Sequence, residues 1–350
     1  MTRNPIGARY LEDRMVYNVA VIGAGNWSKN HLLGWRAQKD AKITWVVRSN
    51  EERAKARAEE WGVANYTADY KKVFADPDVH IVDLVLPHDL HAKLAIEALE
   101  AGKHVVLEKP LAENIEDAQR LADAAAASKL KVMVAENWNY GTFVSRAKKL
   151  LEAGAIGRPY MIRGALDLDI RYAFKGVAWR HQSERMGGGV LIDAGTHAIS
   201  VMRHLMGEIT EVSAQIDNYD FPDLGSMEDT ALVLTRFASG AMGLLSATAV
   251  ATKVRNSTSF MIMGEKGAIE FDTHDRSFFT TIDKKRSEEF TLEPSRGLVE
   301  QMTHFLSAIR EDTTPLTSPM EQMGSMRTIL AAYESARTGR TVKTEEIRAK

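Results

Sequence analysis

From Tyr17 to about Trp138 the chain alternates short apolar runs with amphipathic stretches, and this alternation restricts the fold more than any other feature. The runs Asn18–Ile22, Ile43–Val47, Ile81–Leu86, His104–Leu107 and Val132–Ala135 predict strands. Between them, Asn30–Gln38, Glu51–Trp61, Asp69–Phe74, His91–Ala101 and Asn114–Ala127 predict helices. Apolar strands separated by helices indicate a parallel sheet covered on both faces, the doubly wound α/β arrangement. Such sheets bind ligands beyond the carboxyl ends of their strands. Ser28, Arg48, Pro87 and Lys109 all follow strands, so the pattern places them in one crevice.

The rest of the chain reads differently. After a helix near Phe143–Ala153 come strand-like runs at Tyr160–Leu168, Glu211–Asp217, Thr230–Phe237, Ala241–Ala249, Ser259–Met263, Ala268–Phe271 and Phe278–Ile282. They predict an α+β domain with a large, mostly antiparallel, open sheet. Helices at Thr196–Met206, Leu298–Ile309 and Met320–Arg337 are expected to cover one face of it. The other face then calls for a partner subunit, so a homodimer or homotetramer is expected. The chain divides into an N-terminal tail (1–16), a parallel-sheet domain (17–138) and a second domain (139–350).

A chain of 350 residues, 45% of them hydrophobic, is long enough to bury two cores. Its net charge of -2 gives no sequence-wide field for nucleic acid or an anionic membrane. The lack of cysteine removes disulfides, thiolate nucleophiles and zinc–thiolate sites. No apolar run approaches membrane-spanning or signal-peptide character, so a cytoplasmic location is expected.

Three segments carry chemistry. Gly23-Ala-Gly25-Asn26-Trp27-Ser28 fits the G-x-G-x-x-G turn between a strand and a helix, with serine in the third place. There, backbone amides at a helix start meet a pyrophosphate. Glu108-Lys109-Pro110 ends a strand, and a lysine so placed can steady a developing alkoxide. In Gly187-Gly-Gly189-Val-Leu-Ile-Asp193-Ala-Gly-Thr-His197 the aspartate and histidine lie four apart and share a helix face. A carboxylate beside an imidazole orients it and raises its basicity, as a general base requires. The preceding glycines are expected to allow close approach to cofactor or substrate. Asp193 and His197 are too few ligands for a metal cage, and no metal is expected.

Other positions colour the site. Where the second strand ends, a dinucleotide fold selective for NAD carries an acid for the ribose; this chain has Arg48-Ser49, with Arg53 a turn later. A guanidinium suits a 2′-phosphate, so NADP(H) is expected to be preferred over NAD(H). Pro87 and His88 stand at the mouth after the third strand, and His91 starts the following helix, either packing there or facing the cofactor. In the basic, aromatic segment 171–181, Arg180 is the residue singled out for substrate.

With these residues in view, the chain resembles the glucose–fructose oxidoreductase, inositol dehydrogenase and rhizopine catabolism (Gfo/Idh/MocA) family of NAD(P)-dependent oxidoreductases. The resemblance runs from the glycine turn through His91, Ala101–Pro110, Gly154-Ala-Ile-Gly157, Trp179-Arg180 and Gly187–His197 to Gly339-Arg-Thr-Val342. It implies that Lys109, Asp193 and His197 are catalytic, with His197 the base. It also implies that Gly23, Gly25 and Ser28 hold the pyrophosphate. Arg48, His88 and Asn139 depart from the family's usual acid, asparagine and arginine, and the last two are expected to alter the mouth of the site. The expected activity is hydride transfer between a nicotinamide cofactor and a secondary alcohol or ketone of a sugar, cyclitol or glycoside. The family also contains nicotinamide-dependent glycosidases and a non-catalytic dinucleotide-binding regulator; the intact lysine, aspartate and histidine set argues against the regulator.

Overall fold

The computed structural model describes residues 15–174, 177–221, 224–252, 256–289 and 295–350. Most of the expected N-terminal tail therefore lies outside the described residues.

The first sheet contains β1 (Tyr17–Ile22), β2 (Ala41–Val47), β3 (Asn65–Thr67), β4 (Ile81–Leu84), β5 (His104–Leu107) and β6 (Val132–Val134). All pairs are parallel, in the order β3-β2-β1-β4-β5-β6. Every residue of β4 and β6 is buried, as expected for strands covered on both faces. The helices are punctuated by local chemistry. Asn50 and Asn114 accept from the amides of Arg53 and Asp117 at 2.9 and 2.8 Å, and left-handed Gly62 ends helix Glu51–Trp61. Strand β3, three residues with one buried side chain, has no apolar run and escapes the periodicity.

The second sheet has nine strands: β7 (Pro159–Asp167), β8 (Ile209–Asp217), β9 (Thr230–Phe237), β10 (Met242–Thr248), β11 (Ser257–Gly264), β12 (Gly267–Asp272), β13 (Ser277–Ile282), β14 (Lys285–Glu288) and β15 (Val342–Lys343). Their order is β14-β13-β12-β11-β7-β10-β9-β8-β15, antiparallel except for β7 against β10. Alternation along β9 buries Ala231, Val233 and Phe237 and leaves Leu232 and Leu234 half exposed. Strand β14, Lys-Arg-Ser-Glu with every side chain exposed, carries no apolar signal in the sequence.

Helices Gly195–Met206 and Pro319–Thr338 cover the inner face, with Met202, Met323, Met326 and Ile329 in the same core as Ile162, Phe237 and Leu245. Helix Leu298–Arg310 departs from expectation. Its Met302, Phe305 and Leu306 pack with Tyr17, Val19 and Trp35, against the parallel sheet. A Cβ on Gly34 would lie 2.4 Å from the Leu298 carbonyl oxygen, so the two helices meet backbone to backbone. The helix has one apolar stripe, and its periodicity does not say which of two sheets that stripe meets. No described helix is long and apolar enough to cross a membrane.

Candidate active site

Strand order reverses between β1 and β4, and a cleft of about 1780 Å³ opens beyond their carboxyl ends. It is lined by Gly23, Gly25, Asn26, Trp27, Arg48, Ser49, Arg53, Pro87, His88, Glu108, Lys109, Arg180, Asp193 and His197, so both domains contribute.

The glycine turn is built to let a ligand approach the backbone. Gly23 has φ +85°, and a Cβ there would sit 2.1 Å from the Val85 carbonyl oxygen. A Cβ on Gly25 would have its nearest neighbour 3.8 Å away, so that stretch of backbone is open toward the cleft. Ser28 is fully buried, and its hydroxyl donates to the Gly25 carbonyl at 2.7 Å, closing the turn rather than lining the cleft. A dinucleotide pyrophosphate fits this cradle.

At the adenosine end, Arg48, Ser49 and Arg53 line the cleft and Arg57 follows a turn later. Burial, and then the charges of Arg57 and Arg53, lower the pKa of Arg48. The first acid after β2, Glu51, accepts from the Ala68 amide at 2.6 Å, anchoring the backbone there.

At the other end, Lys109 donates to the Asp193 carbonyl at 2.7 Å and to its Oδ1 at 2.9 Å. Arg180 donates to Oδ2 of the same carboxylate, and its guanidinium stacks over Phe174 and Trp179 at 5.0 and 5.1 Å. Burial alone would raise the pKa of Asp193; the Arg180 and Lys109 charges outweigh it and hold the carboxyl well below the usual range. The peptide bond from Lys109 to Pro110 is cis.

His197 is near Asp193 along the cleft but is not paired with it. The short helix Val190–Asp193 ends before Gly195–Met206 begins, and this break turns the aspartate toward the two cations. The carboxylate beside His197 is instead Glu136, just past β6, with Oε2 2.6 Å from Nδ1. Glu136 was not legible in the sequence. Its position at a strand's carboxyl end was the available signal, but nothing links it to a residue 61 positions on. Glu136 Oε1 also accepts from Thr196 Oγ1 at 3.0 Å, and the Trp138 ring stacks on the imidazole at 4.8 Å.

The glycines before Asp193 approach protein rather than ligand. A Cβ at Gly187 would meet the Glu113 backbone at 2.4 Å, one at Gly188 the Tyr333 hydroxyl at 2.1 Å, and one at Gly189 the Glu228 carbonyl at 1.9 Å. The Glu228 carboxylate accepts from Gly189 N, Leu191 N and Tyr333 Oη at 2.9, 2.8 and 3.0 Å, pinning the start of the turn that carries Asp193.

His91 is fully buried off the lining, its nitrogens 2.8 and 3.0 Å from the Pro110 and Leu86 carbonyls. It ties the Leu86 and Pro110 carbonyls together at the mouth and is not among the residues that line the cleft. His88 lines the cleft with Nδ1 2.8 Å from the Met186 carbonyl and its ring edge-on to Trp179. Asn139, expected at the mouth, is buried outside this cleft and donates to Ser200 Oγ at 2.9 Å. Beneath Glu108 lies a charged cluster that sequence reasoning missed. His31 bridges Asp83 and Glu108, each at 2.8 Å, and Trp35 Nε1 donates to Asp83 at 2.7 Å. Arg296, from the second domain, reaches the cleft with its guanidinium over Trp27 at 5.8 Å.

Comparison with known proteins agrees with this fold. Residues 17–136 match the oxidoreductase family model with an NAD-binding Rossmann fold, and 144–270 match the GFO/IDH/MocA C-terminal domain. Levoglucosan dehydrogenase of Pseudarthrobacter phenanthrenivorans is 34% identical over 288 residues, 73% of each chain. An NAD(+)-dependent scyllo-inositol 2-dehydrogenase of Bacillus subtilis is 26% identical, covering 94% of this chain and 97% of its own. A solved levoglucosan dehydrogenase in complex with NADH and levoglucosan superposes with TM-score 0.88 at 29% identity, over 94% of this chain and all of that one. The chain is therefore an oxidoreductase that belongs to the GFO/IDH/MocA family.

Proposed function

We propose that the protein catalyses NADP(H)-preferring hydride transfer to or from a secondary alcohol or ketone of a sugar or cyclitol. The observation that carries this reading is the convergence of Lys109, Asp193, Arg180 and His197 at one end of a cleft whose other end is a dinucleotide turn. The nicotinamide, when bound, supplies the hydride acceptor or donor. The chain supplies the rest. His197 takes the hydroxyl proton, and Lys109 stabilises the oxygen as negative charge develops on it. Asp193 holds Lys109 and Arg180 in place and offsets their charge. The substrate class is supported by relatives named for levoglucosan, D-apiose and inositols.

The cofactor preference rests on the Arg48 and Arg53 guanidiniums that line the cleft after β2 and on Glu51, whose carboxylate is engaged by the Ala68 amide. One relative is named with NAD(+) and a solved neighbour with NADH, and this preference sets the present chain apart from those two. Titration of both cofactors tests it: NADP(H) is expected to bind more tightly, and equal affinities contradict it. A panel of anhydrosugars, aldoses and cyclitols followed at the nicotinamide absorbance tests the reaction. Glycoside cleavage without net absorbance change would favour the glycosidase activity instead.

A further inference from the structure

The Glu136–His197 contact joins the two domains. Glu136 follows β6 of the parallel sheet, and His197 lies on helix Gly195–Met206 of the second domain. The side chains are nearly buried, 1% and 8% exposed, with 2.6 Å between Oε2 and Nδ1. A carboxylate only accepts, so the proton between them belongs to Nδ1, and the neutral imidazole then carries its lone pair on Nε2. Two further contacts remove the remaining freedom. Thr196 Oγ1 donates to the other carboxylate oxygen, and the Trp138 ring lies over the imidazole with 13° between planes. The charged groups around His197 are Glu136 from the β6 end, Glu108 and Lys109 from the β5 end, and Asp193 with Arg180 across the cleft. Lys109 and Asp193 neutralise one another and Glu108 is paired with His31, which leaves Glu136 as the carboxylate directed at the imidazole.

We infer that Glu136 is a positioning residue for proton transfer: it fixes Nε2 of His197 as the cleft-facing acceptor and stabilises the imidazolium that forms there. The inference rests on the reading of His197 as the base. In the oxidative direction the substrate O–H bond breaks and an Nε2–H bond forms. The C–H bond breaks with its electron pair, the hydrogen leaving as hydride to the oxidised nicotinamide that the activity already requires. Glu136 keeps its negative charge throughout, and Nδ1 keeps its proton.

The test compares wild type with Glu136→Gln and Glu136→Asp. Imidazole ¹⁵N shifts in the cofactor-free protein report the tautomer directly, and kcat and KM separate turnover from binding. Wild type is expected to show the Nδ1–H tautomer for His197, and Glu136→Gln a mixture. Glu136→Gln is expected to lower kcat roughly 10- to 100-fold, part of what a general base contributes. Cofactor affinity should stay within about twofold, and Glu136→Asp should recover part of the rate. A melting temperature that falls while the tautomer stays unchanged would make Glu136 a mere interdomain tie and overturn the inference. So would an Nε2–H tautomer in wild type, a result that stands even if neither variant folds. Full activity in His197→Ala would instead remove the reading of His197 itself.

Discussion

Lys109 and Arg180 both reach Asp193, so a buried carboxylate and two cations form the rigid floor of the site. Removing one partner of such a cluster strands the others away from water. Asp193→Ala should therefore cost about 3–5 kcal/mol in denaturant unfolding as well as activity; an unchanged midpoint would argue that the cluster relaxes into solvent. At the other end of the cleft, Arg48→Asp should remove a charge-assisted contact worth roughly 1.5–3 kcal/mol to a phosphate, about 10- to 150-fold in NADP(H) affinity. NAD(H) affinity should be little reduced, and cofactor titration by fluorescence checks the ratio. Local motifs led to Lys109, Asp193, His197 and Arg48, all of which line the cleft, but the pairing of Asp193 with His197 expected from their spacing is replaced by Asp193 with Lys109 and Arg180. Glu136, His31 and Arg296 were not legible, since their partners are brought close only by the tertiary fold.

The turn carrying Asp193 depends on glycines that admit other protein atoms. Gly189→Ala would place a Cβ 1.9 Å from the Glu228 carbonyl. Gly102→Ala meets nothing within 4 Å and suffers only from its φ of +77°. The first should lower stability by more than the second, which should cost about 1–2 kcal/mol for a left-handed alanine, and only the first should lower kcat; thermal melts and turnover of both variants decide. His31 ties helix Ser28–Arg36 to β4 and β5. Burial opposes its charge, but Asp83 and Glu108 prevail and raise its pKa to about 10. A pKa raised on folding stabilises in full below the unfolded value near 6.5 and is lost as pH rises toward about 10. The melting temperature should therefore fall between pH 7 and 10, and His31→Gln should flatten that fall. A parallel fall in the variant would assign the effect to other groups. Strand and helix positions were largely legible because the buried strands and amphipathic helices carry strong periods. β3 and β14 were not, being short and without an apolar face.

Across the whole molecule, the site exists only where two domains meet: Lys109 and Glu136 come from one side, Asp193, Arg180 and His197 from the other. The sequence made the two architectures legible by their different periods, but not the return of helix Leu298–Arg310 to the first sheet. On the outer face of the second sheet, Leu232, Leu234 and Met242 are 50%, 57% and 47% exposed. They stand among Arg163, Ser213, Gln215, Arg236 and Ser246 on neighbouring strands, exposed apolar side chains rimmed by polar ones; such a surface suits association, and we expect a homo-oligomer. Light scattering at micromolar concentration should show a dimer or tetramer that Leu234→Arg dissociates, and a monomeric wild type would contradict this. The interdomain cluster is expected to carry out proton transfer, with hydride transfer to or from the nicotinamide, on a sugar or cyclitol. Single-turnover cofactor reduction across pH, with wild type, His197→Ala and Lys109→Ala on the most active sugar or cyclitol, tests it most directly. Each variant should bind cofactor normally and lose about 10²–10⁴-fold in rate, with the double variant little worse than either because both residues act on one oxygen. A His197→Ala enzyme that keeps the wild-type rate at every pH would rule out His197 as the base and this cluster as the site of proton transfer.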